Sequence, residues 1–133
     1  MTITGLHHVL LTVRDLQTSA SFYGDLLGLR KVKDIPDDGV AGEKVLYALP
    51  DGRLVGLVQH QATPNQPFDE AHVGLDHLAF SVALSELPEW ERRLDQAGVE
   101  FTPASPSAFG DPLIVLRDPD RIQLQIYGLK PPD

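Results

Sequence analysis

The sequence lacks cysteine and is poor in basic residues. The absence of cysteine excludes disulfides, thiolate metal ligands and cysteine nucleophiles. Eleven Lys and Arg face 19 Asp and Glu, and the resulting net charge of −8 argues against a nucleic-acid partner, since phosphate binding needs clustered basic side chains. No apolar run approaches the roughly 20 residues that span a bilayer. The N-terminal stretch carries no basic leader followed by a long apolar segment. We therefore expect a soluble, cytoplasmic protein that binds no membrane.

The sequence does contain enough apolar residues for a core, and an internal repeat. Hydrophobic residues make up 42% of 133 residues, which suits one folded domain. "GLHHVLLTV" at 5–13 is echoed by "GLDHLAFSV" at 74–82, and later landmarks keep nearly the same spacing. The matched landmarks are Gly5 with Gly74, His8 with His77, Val13 with Val82, Pro50-Asp51 with Pro119-Asp120 and, one residue out of step, Gly28 with Gly98.

Each repeat predicts a strand, a helix and three further strands, from alternation, helical spacing and turn residues. The first repeat predicts strands over 3–13, 29–35, 43–49 and 53–60, with a helix over 16–27. The second predicts strands over 74–82, 99–101, 113–118 and 122–128, a helix over 85–98 and a loop over 102–112. The fold class is therefore α+β, with two tandem βαβββ modules at 3–60 and 74–129, joined by a linker at 61–73 within one domain, 1–133. We expect curved mixed sheets around a cleft.

Alternation along the strands predicts which side chains face the cleft, because successive residues of a strand point to opposite faces. The wholly apolar sets should lie under the helices. The opposite faces then carry four positions that the repeat relates, 8, 56, 77 and 125. They hold His8, Gly56, His77 and Gln125. Two imidazoles facing one cleft suit zinc, iron, nickel, cobalt or manganese, whereas the alternative is two structural histidines.

The stretches "HVLLTVRDLQTSASFYGDLLGL", "DHLAFSV" and "DPDRIQLQIYG" resemble the vicinal oxygen chelate superfamily over essentially the whole chain. This superfamily includes glyoxalase I, bleomycin-resistance proteins, fosfomycin-resistance enzymes and extradiol dioxygenases. The resemblance implies that His8, His77 and Gln125 are the metal ligands. Glyoxalase I carries a glutamate where Gly56 stands, and most members carry one where Gln125 stands. Because an amide is neither charged nor basic at neutral pH, glyoxalase I chemistry is not expected, and the missing carboxylates count against epimerase, extradiol dioxygenase and fosfomycin-type thiol-transfer chemistry. For an enzyme, the resemblance leaves a metal-dependent lyase, isomerase or dioxygenase as the classes.

Two functions stay open. The first is a metal-dependent enzyme with a weakened His, His, Gln site that acts on a small oxygenated substrate. The second is a metal-free protein of the bleomycin-resistance type that binds or sequesters a ligand. The resemblance also implies a homodimer whose sites are built across two chains. For either function we predict a substrate-binding set of Leu10, Thr12, Tyr47, Gly56, Val58, His60, Ala79, Ser81, Phe109, Gln123 and Tyr127.

Overall fold

The structure, a computed structural model that describes residues 1–132, divides the chain into two compact units, the first ending at Gln66 and the second beginning at Pro67. The first unit contains β1 (His8–Thr12), α1 (Leu16–Ala20), β2 (Arg30–Ile35), β3 (Glu43–Ala48) and β4 (Leu54–Gln59). The second contains β5 (Leu78–Ala83), α2 (Leu87–Gln96), β6 (Phe101–Ser105), β7 (Leu113–Arg117) and β8 (Gln123–Leu129). The predicted pair of βαβββ modules is confirmed.

The two sheets have the same topology. Their strand orders are β1-β4-β3-β2 and β5-β8-β7-β6. In each sheet the first and last strands of the module pair in parallel, and the other pairs are antiparallel. The parallel pair matters for function because residues in register across it lie on the same face of the sheet. Within residues 1–132, no helix has the length and apolar character that a membrane crossing needs.

The first helix is shorter and wider than predicted. The Asp15 carboxylate caps its start by accepting from the Thr18 N–H at 3.0 Å. After Ala20 the chain continues as a π-helical turn over Ser21–Leu26, in which the Leu27 N–H reaches back five residues to the Phe22 carbonyl. Gly28, with a φ of 75°, ends the helix. A Cβ at Gly24 would lie 3.3 Å from the Tyr47 ring, so glycine lets the ring approach the helix.

Tyr47 lies on the helix-covered face of the first sheet. Its side chain is 2% exposed, and its hydroxyl donates to the Ala20 carbonyl at 3.2 Å. Burial raises the pKa of Tyr47, and the nearby Asp25 and Asp34 carboxylates raise it further. The hydroxyl therefore stays protonated and keeps donating at neutral pH. Tyr47 anchors α1 to the sheet, and the structure does not place it among the residues of the opposite face.

The second unit has its core under α2. Leu87 and Leu94 are buried against the sheet, and a 3₁₀ turn over Leu84–Glu86 leads into the helix. β6 runs to Ser105, where the sequence predicted a loop from residue 102. Pro103, which lacks an N–H, is accommodated because β6 is an edge strand whose pairing shifts between Thr102 and Ser105.

The second half of the predicted linker is fixed to the second unit. The Phe68 N–H donates to the Asp120 carbonyl at 2.8 Å. Glu70 receives two hydrogen bonds from the Arg117 guanidinium, at 2.6 and 3.2 Å, and both side chains are about one-third exposed (34% and 29%). These bonds lower the pKa of Glu70 from its ordinary 4.5 to about 2. The ion pair therefore joins residue 70 to the end of β7.

This ion pair predicts an acid-dependent stability. A carboxyl whose pKa is lower in the folded state stabilises the fold above its unfolded pKa, and this contribution is lost as the pH falls toward the folded pKa. We expect Glu70→Gln to be less stable than the wild type at pH 7, and this deficit to shrink between about pH 4.5 and pH 2. Urea unfolding across this range measures it, with Asp69→Asn as the control. A deficit that is constant with pH would contradict the role of the ion pair.

Candidate functional site

Each sheet has one face that its helix does not cover, here called its open face, and the predicted alternation describes it correctly. On β1, His8, Leu10 and Thr12 are exposed, while Leu11 is buried on the other side. On β5, Ala79 and Ser81 are exposed. On β8, half-buried residues alternate with buried Leu124 and Ile126. The half-buried residues of β8 on the open face are Gln123, Gln125 and Tyr127.

His77 is held by its neighbour in the sequence. It lies directly before β5, and its Nδ1 is 2.7 Å from the Asp76 carboxylate oxygen. A carboxylate can only accept, so Nδ1 carries a proton, and in the neutral ring this tautomer has its lone pair on Nε2. This is the tautomer in which a histidine binds a metal through Nε2. Ala79, two residues further along, is in register with Gln125, so His77 and Gln125 belong to the same face of the second unit.

His8 has an equivalent arrangement in the first unit. Its Nδ1 lies 2.8 Å from the Nδ1 of His7, so one ring donates its N–H to the lone pair of the other. The two rings meet edge to face, with centroids 5.1 Å apart. His7 and Asp76 occupy the same place in the two repeats. These contacts were not predicted from the sequence, although the position of His7 and Asp76 directly before each paired histidine was a visible signal.

Gln125 carries an unsatisfied oxygen. Its Nε2 donates to the Gln123 Oε1 at 3.2 Å, which turns its own Oε1 away from Gln123. This Oε1 is buried and finds no hydrogen-bond donor among residues 1–132. A buried carbonyl oxygen left without a partner costs about 1–3 kcal/mol, so such atoms are rare unless a ligand, ion or water supplies the contact. The donor chemistry of Gln125 thus fits a cation or a ligand N–H or O–H.

Position 56 is closed by its neighbours. Gly56 is in register with Leu10 on β1 and Leu46 on β3, so the three residues form one row across the open face. A Cβ at Gly56 would collide with the Leu10 side chain and lie 2.7 Å from the Leu46 Cδ2. The two leucines therefore occupy the space that a larger residue at 56 would need. The open face of the first unit therefore combines the exposed His8 with an apolar surface.

The other predicted binding residues are divided between the two open faces. Thr12 is exposed on β1, Val58 is buried near the end of β4, and His60 begins the turn beyond it, donating its backbone N–H to Thr63. In the second unit, Phe109 is 82% exposed, and its ring centroid lies 6.1 Å from that of Tyr127. Tyr127 and Phe109 thus extend the row of Gln123 and Gln125 with aromatic surface.

The open face of the second unit also carries a charged pair that the sequence analysis missed. Arg117 is in register with Gln123, and Val115 with Gln125. Hydrogen bonds to Glu70 raise the pKa of Arg117, and the charge of Asp76 contributes to the same shift. A cavity of about 370 Å³ lies beside them, with Arg117, Val115 and Gln123 in its lining. Residues 70 and 117 are 47 apart in the chain, so no local pattern predicts their pairing.

Each unit contains few candidate metal ligands. Among residues 1–132, no three His, Cys, Asp or Glu side chains are gathered where they could hold an ion. The second unit supplies one imidazole and one amide oxygen, and the first supplies one imidazole. Such ligands suit a divalent transition metal, but together they bring no negative charge. The same groups could instead bind an organic ligand by hydrogen bonds.

Comparison with known proteins identifies the family. The model of the Glyoxalase/Bleomycin resistance protein/Dioxygenase superfamily matches residues 5–126. The protein belongs to this superfamily, as the sequence predicts.

Characterised relatives include proteins of fosfomycin resistance. The metallothiol transferase FosB of Bacillus licheniformis is 29% identical over 126 residues, which cover 94% of this chain and 75% of FosB. Among solved structures, a glyoxylase/bleomycin resistance protein/dioxygenase domain from Frankia sp. EAN1pec has a TM-score of 0.85 and 34% identity, covering 96% of this chain and 98% of that one. The fosfomycin resistance protein FosX of Listeria monocytogenes, solved as a mutant complexed with Mn(II) and a dihydroxypropylphosphonic acid, has a TM-score of 0.73 and 19% identity, covering 96% and 94%.

Proposed function

We propose that this protein is a metal-dependent enzyme that acts on a small oxygenated substrate. Its proposed ligands in the second unit are His77 and Gln125, and His8 is the equivalent proposed ligand of the first unit. The observation that carries the proposal is the buried Gln125 Oε1, which has no donor among residues 1–132 and which a cation would satisfy. The Nδ1–H of His77, donated to Asp76, supports it by leaving the lone pair on Nε2.

The residues around these ligands have distinct proposed roles. A divalent ion, when bound, polarises a carbonyl, enol or diol oxygen of the substrate. Gln123 orients the Gln125 amide through its Oε1. Tyr127 and Phe109 offer aromatic surface to the carbon skeleton of a substrate, and the exposed Ser81 and Thr12 offer hydroxyls. Neither position 56 nor position 125 holds a carboxylate, so the reaction does not use a general base at either one.

The relatives support a metal but not one substrate. FosB is named a metallothiol transferase, and the FosX structure contains Mn(II) and a phosphonic acid. For this chain we propose a divalent ion among zinc, iron, nickel, cobalt and manganese, and a small oxygenated molecule as the substrate. The homodimer implied by the sequence stays a prediction.

The test of this proposal is the metal content of the protein purified without a metal-affinity tag. We expect a divalent metal close to one equivalent per chain, measured by elemental mass spectrometry, and retained after dialysis.

We also expect no glyoxalase I turnover of a glutathione hemithioacetal with any divalent metal, because no carboxylate base stands at position 56 or 125. Metal-free protein that also fails to bind added Zn²⁺ or Mn²⁺ in calorimetry would overturn the metal site, and robust turnover would overturn the argument about the base.

The second candidate function is metal-free binding of a small ligand. The observation that favours it is the row of Leu10, Gly56 and Leu46, in which apolar side chains fill the place of a possible ligand. A bound molecule with an N–H or O–H would then satisfy the Gln125 oxygen. The metal measurement distinguishes the two functions.

A further inference from the structure

The residues that precede the two paired histidines, His7 and Asp76, are at equivalent positions of the repeat. Each makes a hydrogen bond to the Nδ1 of the histidine that follows it. Asp76 binds the Nδ1 of His77 at 2.7 Å, and His7 meets the Nδ1 of His8 at 2.8 Å. Each contact is made at a strand start, where the backbone direction of the histidine is already set by the sheet. A hydrogen bond at Nδ1 then fixes both the tautomer and the rotation of the ring.

We propose that Asp76 is a positioning residue, which presents the Nε2 lone pair of His77 to the ligand of the open face, and that His7 does the same for His8. This inference rests on the proposed function, because it assigns to Asp76 a role toward the proposed metal ligand. Asp76 itself does not bind the metal.

The two repeats differ in the strength of this device. Asp76 offers a carboxylate, which accepts a charge-assisted hydrogen bond and makes the ring a stronger electron donor. His7 offers a neutral acceptor nitrogen and adds no charge. Its ring can also donate to His8, which would place the lone pair of His8 at Nδ1 instead. His77 is therefore the better-oriented ligand of the two.

The surroundings of Asp76 keep it available for this contact. Its side chain is 71% exposed, and that of His77 is 36% exposed. Arg117, whose charge interacts with that of Asp76, is hydrogen-bonded to both oxygens of Glu70. Because Asp76 contributes little to the core, its replacement leaves the fold intact and tests the hydrogen bond alone.

The experiment measures the tautomer of His77 in the metal-free protein, by two-bond ¹H–¹⁵N correlation of the imidazole rings. In the wild type we expect the Nδ1–H form. Asp76→Ala should convert His77 to a mixture dominated by Nε2–H, whereas Asp76→Asn, whose amide oxygen can still accept, should keep Nδ1–H. A wild-type His77 that is already Nε2–H, or a spectrum that Asp76→Ala leaves unchanged, would overturn the inference.

The second arm measures binding of Zn²⁺ by calorimetry. Removing an outer-shell partner of a metal-bound histidine typically weakens binding about 10- to 100-fold, and we expect a loss in this range for Asp76→Ala. The loss should be smaller for Asp76→Asn and for His7→Ala. Asp69→Ala is the matched control, because Asp69 lies 4.0 Å from the exposed His72 and should not matter. If the wild type binds no metal but the tautomers behave as expected, the proposed function fails and the orienting role of Asp76 stands. If the wild type binds metal and Asp76→Ala binds it equally well, the proposed function stands and the orienting role of Asp76 fails.

Discussion

Replacing His77 with alanine is expected to abolish binding of a divalent metal while leaving the fold intact. The side chain is 36% exposed and lies before β5, outside the core. Its loss would leave the second unit with a single proposed ligand, the neutral amide oxygen of Gln125, which is too weak to compete with water for the ion. Calorimetric titration with Zn²⁺ measures the loss, and thermal unfolding followed by circular dichroism checks the fold.

The matched control for this variant is His72→Ala. His72 lies in the same unit and is 83% exposed. It lies near Asp69, as His77 lies near Asp76. We expect wild-type metal affinity for this control. Retention of metal by His77→Ala, or an equal loss in both variants, would show that His77 is not a ligand.

Introducing a glutamate at position 56 (Gly56→Glu) is expected to destabilise the protein rather than to improve the site. The side chain of Gly56→Glu would have to displace Leu10 and Leu46, because a methyl carbon of each lies within 2.7 Å of the place of its Cβ. Overpacking of this kind costs about 1–3 kcal/mol, and the carboxylate would also be forced against apolar surface. Urea unfolding measures the change in the free energy of unfolding.

A double-mutant cycle isolates the cause. In the Leu46→Ala background, the cost of Gly56→Glu should fall, because the truncated side chain leaves room for the new one. The cost of Gly56→Glu should also fall in the Leu10→Ala background. Leu10 is 39% exposed in the wild type, so its side chain can move aside more easily. Costs that are strictly additive in both backgrounds would exclude the leucines as the cause.

The repeat and the faces of its strands were predictable from the sequence. The spacing of the histidines, the glycines and the Pro-Asp turns is written in the chain, and strict alternation on β1 and β8 separates open from covered positions. Tyr47 could not be assigned in this way. On β3, Val45, Leu46, Tyr47 and Ala48 are all apolar, so alternation gives no signal, and only the contact with Ala20 reveals the face.

Other features depend on contacts that no local pattern encodes. The π-helical turn after Ala20 could not be predicted, because the spacing of the apolar residues there is the same as in a regular helix. The strand at β6 contains Pro103, which argues for a loop unless the edge position of that strand is known. The closed row at Gly56 required the register of three strands, and the orphaned oxygen of Gln125 required the orientation of its amide.

The closed row at Gly56 also shows how the two copies of the repeat differ. Under the helices, both copies kept large apolar side chains, such as Leu57 on β4 and Ile126 on β8. On the open faces the two copies differ. The row of Leu10, Gly56 and Leu46 in the first copy corresponds to Ala79, Gln125 and Val115 in the second, so a glycine between two leucines is matched by a glutamine between two smaller side chains. The packing under the helices is therefore of one kind in both copies, whereas the open faces distribute side-chain volume differently among the strands, and only the second has room for a polar side chain in the middle of the row.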